Sequence, residues 1–126
     1  MEIDSNRWFE GSVVRGLQNG RKLGFPTANV KLTEKADFET GAYAVEVEVA
    51  AETLHGMLYV GTRPTLGLTQ TTLEIHIFDF HRDIYDLHIR FRLLKKIAPE
   101  QKFENLETLK AKLQQYKTEI LHFLYE

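Results

Sequence analysis

Alternation of apolar and polar residues at every second position is the feature that most limits the fold of this chain. It runs through three segments, Tyr43 to Val49, Leu73 to Phe80 and Leu87 to Leu93. Successive side chains of an extended strand point to opposite faces, so each segment predicts a β-strand with one buried face. In the last of these, the predicted inner face begins at Leu87.

Two less regular segments add strands to this set. Trp8 to Val14 predicts a short strand in which Gly11 marks a bulge or a close backbone approach. Leu54 to Val60 predicts a fourth strand, joined as a hairpin to the Tyr43–Val49 strand through Ala50–Thr53.

The final segment changes its period from two to alternating steps of three and four, which is typical of an amphipathic helix. Asn105 suits the helix N-cap, and Glu107 lies in the favourable first turn. Strands first and one helix last predict a closed or nearly closed antiparallel barrel with a helix packed on it. The apolar stripe consists of Leu106, Leu109, Leu113, Tyr116, Ile120 and Phe123.

Composition restricts the chemistry that this chain can perform. Its 126 residues fit one domain spanning 1–126, and 43% of them are hydrophobic. The chain has no cysteine, which excludes disulfides, thiolate zinc sites and cysteine nucleophiles. A cytoplasmic location is the natural expectation, and no apolar run approaches the roughly 20 residues of a membrane span, so we expect no membrane partner.

Charge argues against a nucleic-acid partner. The formal net charge is −2, and the basic residues are scattered along the chain. Proteins that bind nucleic acids usually cluster Lys and Arg to neutralise phosphates. A histidine metal site is not indicated either, because the five histidines lack paired ligand spacing.

Glycines punctuate the segment from Arg15 to Thr27. They do not form a Walker A loop, which needs GxxxxGK[ST] before a helix, whereas Gly16 and Gly20 enclose only three residues. Backbone N–H groups here, with the guanidinium of Arg21, could still bind phosphates. A flexible surface loop explains the composition equally, and is the commoner structure.

Pro26 and the residues after it give that loop a more specific interpretation. Proline fixes its own φ and biases Phe25 toward an extended conformation. In an extended chain Thr27 and Asn29 point to the same side, where a hydroxyl and an amide oxygen could bind Mg²⁺ held with nucleotide phosphates. The alternative is a polar pair that satisfies a turn.

Glu74 is the candidate general base. Its strand predicts Leu73, Ile75 and Ile77 on one face, so Glu74 and His76 lie on the other. A carboxylate on a rigid strand near a nucleotide could accept the proton of a substrate hydroxyl. The alternative is a solvated polar face.

A second punctuated loop, Gly61 to Thr65, is predicted to leave the fourth strand. Arg63 precedes Pro64 there and is therefore expected to be extended. Arg63 could lie near a phosphate or pair with a carboxylate.

Taken together, these segments resemble the riboflavin kinase family, including the C-terminal kinase module of bifunctional riboflavin kinase/FAD synthetases. The matching pieces occur in the family's order and span nearly the whole chain. They are Gly11–Gly16, Gly20–Asn29, Gly41–Val45, Gly61–Thr65, Glu74–Phe80 and Pro99–Phe103.

The resemblance implies a mainly β fold, a six-stranded antiparallel closed barrel of Greek-key type with a C-terminal α-helix. It implies an enzyme, an ATP:riboflavin 5′-phosphotransferase that converts riboflavin and ATP to FMN and ADP with Mg²⁺. Fusion to an adenylyltransferase domain in a longer protein and a monomeric state are further expectations.

The resemblance also assigns site residues. Glu74 is the implied catalytic base, Thr27 and Asn29 are the implied Mg²⁺ ligands, and Glu100, Phe103 and Leu106 are the implied flavin-binding residues. The implied nucleotide-binding residues are Gly16, Gly20, Arg21, Lys22, Gly24, Phe25, Pro26, Thr27 and Asn29.

Three positions depart from the family pattern. Ala98 stands where the family typically has Arg in an R-P-E-x-x-F flap, so a guanidinium that could serve flavin or phosphate is missing, and Lys95, Lys96 or Lys102 could replace it only in part. Tyr59 stands where Asn is common. Asp86 stands where Gly is common, and Asp tolerates a left-handed turn.

Two other functions compete with the kinase. Ala98 motivates a catalytically impaired module that binds flavin or nucleotide. Small closed barrels also bind oligonucleotides, but the negative net charge and the lack of a basic, aromatic-lined face disfavour that function.

Overall fold

Six strands and one helix make up the described part of the chain. The computed structural model describes residues 3–14, 27–34, 36–65, 68–80, 84 and 86–125. The elements are β1 (Phe9–Val14), β2 (Ala28–Leu32), β3 (Gly41–Val49), β4 (Glu52–Thr65), β5 (Leu68–Ile77), β6 (His88–Pro99) and α1 (Leu106–Tyr125).

The six strands close into one barrel in the order β1-β2-β5-β4-β3-β6. All neighbouring pairs are antiparallel, and the pairing of β2 with β5 is a crossover between strands that are not consecutive. Closure leaves no unpaired sheet edge. This arrangement confirms the predicted six-stranded antiparallel barrel with a C-terminal helix.

The barrel interior is filled by the apolar side chains that alternate along the strands. On β5, for example, Leu73, Ile75 and Ile77 are buried and point inward. Burial of such side chains contributes about 1.5–3 kcal/mol each, so this interior is the main source of stability. The fully buried members with the largest side chains include Tyr43, Phe91, Leu58, Ile75, Ile89 and Val13.

A second apolar cluster lies outside the barrel, beneath α1. Tyr116 and Ile120 of the helix are buried against outward residues of the barrel. At the helix start Asn105 Oδ1 accepts the backbone N–H of Thr108 at 2.9 Å, which confirms the predicted N-cap. The barrel residues in this cluster are Ala42, Ala44, Met57 and Phe78, with Tyr59, Leu94, Ile97 and Ala98 at its margin.

The predicted helical stripe is only partly buried. Leu106 and Phe123, its two ends, are 61% and 39% exposed. The helix packs on the barrel from Leu113 to Leu124, so only the first part of this 20-residue helix extends past the contact. Within the described residues no helix has the length and apolar character required to cross a bilayer.

Two β-bulges in β6 supply part of the helix-covered surface. Ala44 and Val45 of β3 pair with Lys95 and Leu93, which leaves Leu94 as the extra residue. Ile97 is left over in the same way at the second bulge, between the partners of Ala42 and Tyr43. A bulge re-aims a side chain, and here both extra residues are apolar and pack in the outer cluster.

The predicted β3–β4 hairpin is present, but its turn is shorter than predicted, because β4 begins at Glu52 rather than Leu54. Ala50 and Ala51 have φ values of 49° and 68°. Two successive left-handed residues match the right-handed twist of a hairpin, although glycine or asparagine is the usual choice. Asp86, with a φ of 67°, adopts the left-handed conformation expected of it.

Several predicted boundaries were wrong. β5 ends at Ile77 rather than Phe80. Leu87 is 44% exposed and precedes β6, so the inward set of that strand starts at Ile89. Gly61 to Thr65 belongs to β4 and pairs with β5 from Leu68 to Thr72, so the predicted loop is a strand. Its backbone at Arg63 is extended, as predicted.

Gly11 lies at a close backbone approach between β1 and β2. A Cβ atom at this position would be 2.7 Å from the carbonyl oxygen of Lys31. Only glycine avoids that contact, which confirms the predicted reason for a glycine in this strand.

Candidate active site

The candidate base, Glu74, projects from the outer wall of the barrel. It lies on β5 between two inward residues and is half-buried. Its direct neighbours across the two adjacent strands are Asn29 on β2 and Tyr59 on β4. Residues directly opposite on paired strands have Cβ atoms about 4.5–5.5 Å apart, so these three side chains are in contact range.

Pairing continues from Tyr59 around the barrel. Tyr59 pairs with Ala42 on β3, and Ala42 pairs with Ala98 on β6. We call these five residues, Asn29, Glu74, Tyr59, Ala42 and Ala98, the outer row.

Thr27 joins the outer row from just before β2. Its hydroxyl donates to Oε1 of Glu74 at 3.2 Å. Thr27 and Asn29 therefore both reach Glu74 from the same side of the chain, as the extended conformation predicted. This hydrogen bond holds the hydroxyl and the carboxylate next to each other on the outer wall of the barrel.

Asn29 carries an unsatisfied polar atom at this point. Its Nδ2 is buried and has no hydrogen-bond partner among the residues that the structure describes. A buried amide nitrogen without an acceptor costs about 1–3 kcal/mol. Amide N and O positions are interchangeable in assignment, so the same geometry allows Oδ1 to face the orphaned position. An unsatisfied amide beside a carboxylate is what a site prepared for a ligand would show.

The donor set at this point suits a hard cation. It comprises the hydroxyl oxygen of Thr27 and the amide oxygen of Asn29, beside the carboxylate of Glu74. Among the described residues no group of three His, Cys, Asp or Glu could hold a metal ion by itself. Mg²⁺ at a nucleotide site needs no such group, because phosphates and waters supply most of its ligands.

Most of the predicted nucleotide-binding segment lies outside the described residues. This applies to Gly16, Gly20, Arg21, Lys22, Gly24, Phe25 and Pro26.

Glu100, a predicted flavin-binding residue, has protein partners in this structure. Its carboxylate accepts the backbone N–H of Thr62 at 2.9 Å and the Thr62 hydroxyl at 3.2 Å. These bonds tie the segment after β6 to β4. Phe103 is half-buried, and Leu106, the first residue of α1, is exposed.

Tyr59 is the part of this site that the sequence reasoning missed. The sequence identifies Tyr59 only as a departure from the family pattern. Its position beside Glu74 follows from the register between β4 and β5, which sequence alone does not give. Burial raises the pKa of its phenol, and the charge of Glu100 raises it further, while a hydrogen bond from the Gln101 backbone lowers it. The phenol is therefore neutral at physiological pH.

Ala98 lies in the outer row, paired with Ala42, and packs at the margin of the helix cluster. Two of the lysines considered as replacements for an arginine have contacts of their own. Lys96 Nζ lies 3.0 Å from Glu39 Oε1, and Lys95 Nζ lies 5.3 Å from the ring centre of Phe123.

His76 follows Glu74 on the outward face of β5 but lies deeper. It is buried, and its ring meets that of Phe78 edge-on at 5.6 Å between centres. The outward face is therefore not solvated at this position, and His76 is a packed structural residue.

A closed six-stranded antiparallel barrel with one C-terminal helix is the architecture of the riboflavin kinase fold. The Flavokinase family, described as riboflavin kinase, matches residues 4–124. The chain belongs to this family.

Individual relatives agree with the family match. A bifunctional riboflavin kinase/FMN adenylyltransferase of Escherichia coli (strain K12) is 44% identical over 104 residues, which are 82% of this chain and 33% of the relative. An RNA-binding riboflavin kinase of Bacillus subtilis (strain 168) is 46% identical over 100 residues, covering 79% of this chain and 43% of the relative. This chain thus spans less than half the length of either relative.

A solved structure shows the same fold. It is described as a macrolide-efflux protein from Streptococcus pneumoniae and superposes with a TM-score of 0.82 at 31% identity. The superposition covers 88% of this chain and 37% of that one.

Proposed function

We propose that this chain transfers the γ-phosphoryl group of ATP to the 5′-hydroxyl of riboflavin, giving FMN and ADP. One observation carries the proposal: Glu74, Asn29 and the Thr27 hydroxyl meet on the outer wall of the barrel. Family membership supplies the substrate class.

Glu74 acts as the general base in this proposal. Its carboxylate accepts the proton of the 5′-hydroxyl while the hydroxyl oxygen attacks the γ-phosphorus and ADP leaves. A strand paired on both sides is a rigid support, and the Thr27 hydrogen bond limits the rotation of the carboxylate. Positioning of this kind supplies much of the rate enhancement in phosphoryl transfer.

Thr27 and Asn29 are the proposed protein ligands of Mg²⁺. A hydroxyl oxygen and an amide oxygen are hard donors of the kind that Mg²⁺ prefers. Mg²⁺ would neutralise charge on the β- and γ-phosphates. The glycine segment Gly16 to Pro26, with Arg21 and Lys22, is proposed from its sequence to bind the phosphates.

Phe103 and Leu106 are proposed to contact the flavin. An exposed leucine at the start of a helix and a half-buried aromatic ring offer apolar area for a planar ring system. Glu100 is proposed to contribute at the same place, and its bonds to Thr62 fix where that segment lies.

Several broader expectations accompany this function. Residues 1–126 are proposed as a single kinase domain that is monomeric and cytoplasmic, without a nucleic-acid partner. The E. coli relative motivates fusion to an adenylyltransferase domain in a longer protein. A flat titration against single-stranded RNA at low salt is the expected result, and saturable binding would overturn the expected absence of a nucleic-acid partner.

Incubation with riboflavin, ATP and Mg²⁺, followed by chromatography of the flavins, tests the function. We expect FMN to form in proportion to ADP. Lumiflavin is the matched control substrate, because it keeps the ring system but has no ribityl hydroxyl, and we expect no phosphorylated product from it. Flavin or nucleotide binding without FMN would favour the alternative function of an impaired binding module, for which Ala98 is the motivation.

A further inference from the structure

Tyr59 occupies the central position of the outer row. It is the direct neighbour of Glu74 on one side and of Ala42 on the other. Ala42 and Ala98, which follow Tyr59 in the row, have no side-chain atoms beyond Cβ. Tyr59 is therefore the one large side chain of the row on this side of Glu74.

The ring of Tyr59 also borders the segment that follows β6. A Cβ atom on Gly61 would lie 3.1 Å from Tyr59 Cε1 and 3.4 Å from Glu100 Oε2. The ring edge and the carboxylate thus converge over a residue without a side chain. Any larger residue at position 61 would have to displace one of them.

Glu100 is bound at that point to the strand that carries Tyr59. Both of its oxygens lie within hydrogen-bonding distance of Thr62, the residue next to Gly61. The segment from Glu100 to Phe103 is therefore anchored to β4 by a carboxylate and bordered by the phenol ring.

Tyr59 lies between Glu74, its partner on β5, and the segment that begins at Glu100. The carboxylate of Glu100 and the backbone of Gln101 both act on the pKa of this phenol, in agreement with the ring position beside Glu100. A neutral phenol can donate one hydrogen bond and accept another, which a phenylalanine ring cannot. Half-burial beneath the helix cluster restricts the ring to this position.

We propose that Tyr59 is a positioning residue that holds the Glu100–Phe103 segment at the distance from Glu74 required for riboflavin to bind between them. The inference rests on the proposed function, since it gives that segment the flavin and Glu74 the proton transfer. Tyr59 takes no part in the chemical step. Its removal should weaken flavin binding and leave nucleotide binding unchanged.

Tyr59→Phe is the sharpest test, because it keeps the ring packing and removes only the hydroxyl. Loss of one hydrogen bond predicts a KM for riboflavin raised about three- to tenfold, with the KM for ATP and kcat changed less than about twofold. Tyr59→Asn keeps a polar group too short to reach the segment, so it should raise the KM for riboflavin at least as much. Tyr125→Phe, at an exposed tyrosine, is the matched control and should change neither constant.

A direct measurement of the dissociation constant for FMN by fluorescence complements the kinetics. The expected result is the same ratio of wild type to Tyr59→Phe as in the KM for riboflavin. Equal affinities in wild type and Tyr59→Phe, or a fall confined to kcat, would overturn the positioning role while leaving the kinase function standing. A wild-type protein that neither binds FMN nor phosphorylates riboflavin would overturn both.

Discussion

The outward face of β3 has two halves of opposite character. Near its start, Ala42 and Ala44 are fully buried beneath α1. Further along, Glu46 and Glu48 pair with arginines of β6, at 2.9 Å to Arg92 and 3.4 Å to Arg90. One strand thus presents methyl groups to the helix and carboxylates to the neighbouring strand within four alternating positions.

The difference shows that one part of the outer surface packs against the helix and another part forms ion pairs between strands. Small side chains let the helix approach the sheet closely, and Ala42, Tyr59 and Ala98 of the outer row pack beneath it. We call the side of the barrel that carries the outer row, Glu74 included, the helix-covered half. On the charged half, Trp8 stacks over Arg90, with 4.4 Å between its ring centre and the guanidinium carbon. Glu46 and Glu48 are paired with these arginines, so we assign ligand chemistry to the helix-covered half.

The largest effect on stability is expected from placing a charged side chain on the helix-covered half. Ala44→Glu places a charge beneath the helix and should lower the free energy of unfolding by about 3 kcal/mol or more. Glu48→Gln, on the same face of the same strand, removes half of an exposed ion pair and should cost less than about 1 kcal/mol. Urea unfolding of both variants checks this, and equal losses would contradict the assignment of the two halves.

Asn29→Leu tests whether the helix-covered half binds the nucleotide. The substitution removes an amide with an unsatisfied nitrogen, so stability should hold or rise slightly. Loss of one proposed Mg²⁺ ligand should lower kcat/KM for ATP by about 10- to 100-fold. Asn29→Asp keeps oxygen donors and should lose less.

Steady-state kinetics at varied Mg²⁺ concentration provide the measurement for Asn29. Wild-type behaviour of Asn29→Leu at every Mg²⁺ concentration would remove this residue from the site.

Trp8→Ala tests whether the charged half contributes only to stability. It removes the stack on Arg90 and should lower the free energy of unfolding by about 1–2 kcal/mol, with phosphorylation unchanged. Trp8→Phe keeps an aromatic ring and should lose less. A large fall in phosphorylation by folded Trp8→Ala would show that the charged half serves the active site.

Alkaline pH should act mainly on buried phenols. Burial raises the pKa of Tyr43, Tyr59 and Tyr116 above the ordinary value of 10.0. The folded state then holds these protons more tightly than the unfolded state. Their contribution to stability is complete below the unfolded pKa and is lost as pH rises through the folded pKa values.

The free energy of unfolding should therefore decline as pH rises above about 10, with a shallower decline in Tyr59→Phe. Denaturant unfolding across this range measures it. A rise in stability over the same interval would contradict the sign of these shifts.

Much of the barrel could be predicted from sequence because its interior follows a strict period of two. The inward residues of β3 and β5 were identified correctly from alternation alone. The boundary at Gly61 was wrong because glycine and proline usually mark a turn, whereas here strand pairing with β5 continues through Pro64. Tertiary pairing overrode local propensity.

The site was predictable only where residues are close in the chain. Thr27 and Asn29 could be set on one side by their spacing, and Glu74 could be set on an outward face. That these residues meet, with Tyr59 beside them, depends on strand register and on a crossover between β2 and β5. Register arises from the packing of the whole barrel, so no local pattern encodes it.

Single-turnover phosphorylation of riboflavin by wild type and Glu74→Gln tests the central claim, that the cluster on the helix-covered half performs phosphoryl transfer. Glutamine keeps the shape of the glutamate side chain and can still accept a hydrogen bond from the Thr27 hydroxyl, but it cannot act as a general base. We predict a rate of FMN formation lower by about 10²- to 10⁴-fold, with ATP affinity unchanged. An undiminished rate in Glu74→Gln would contradict the account.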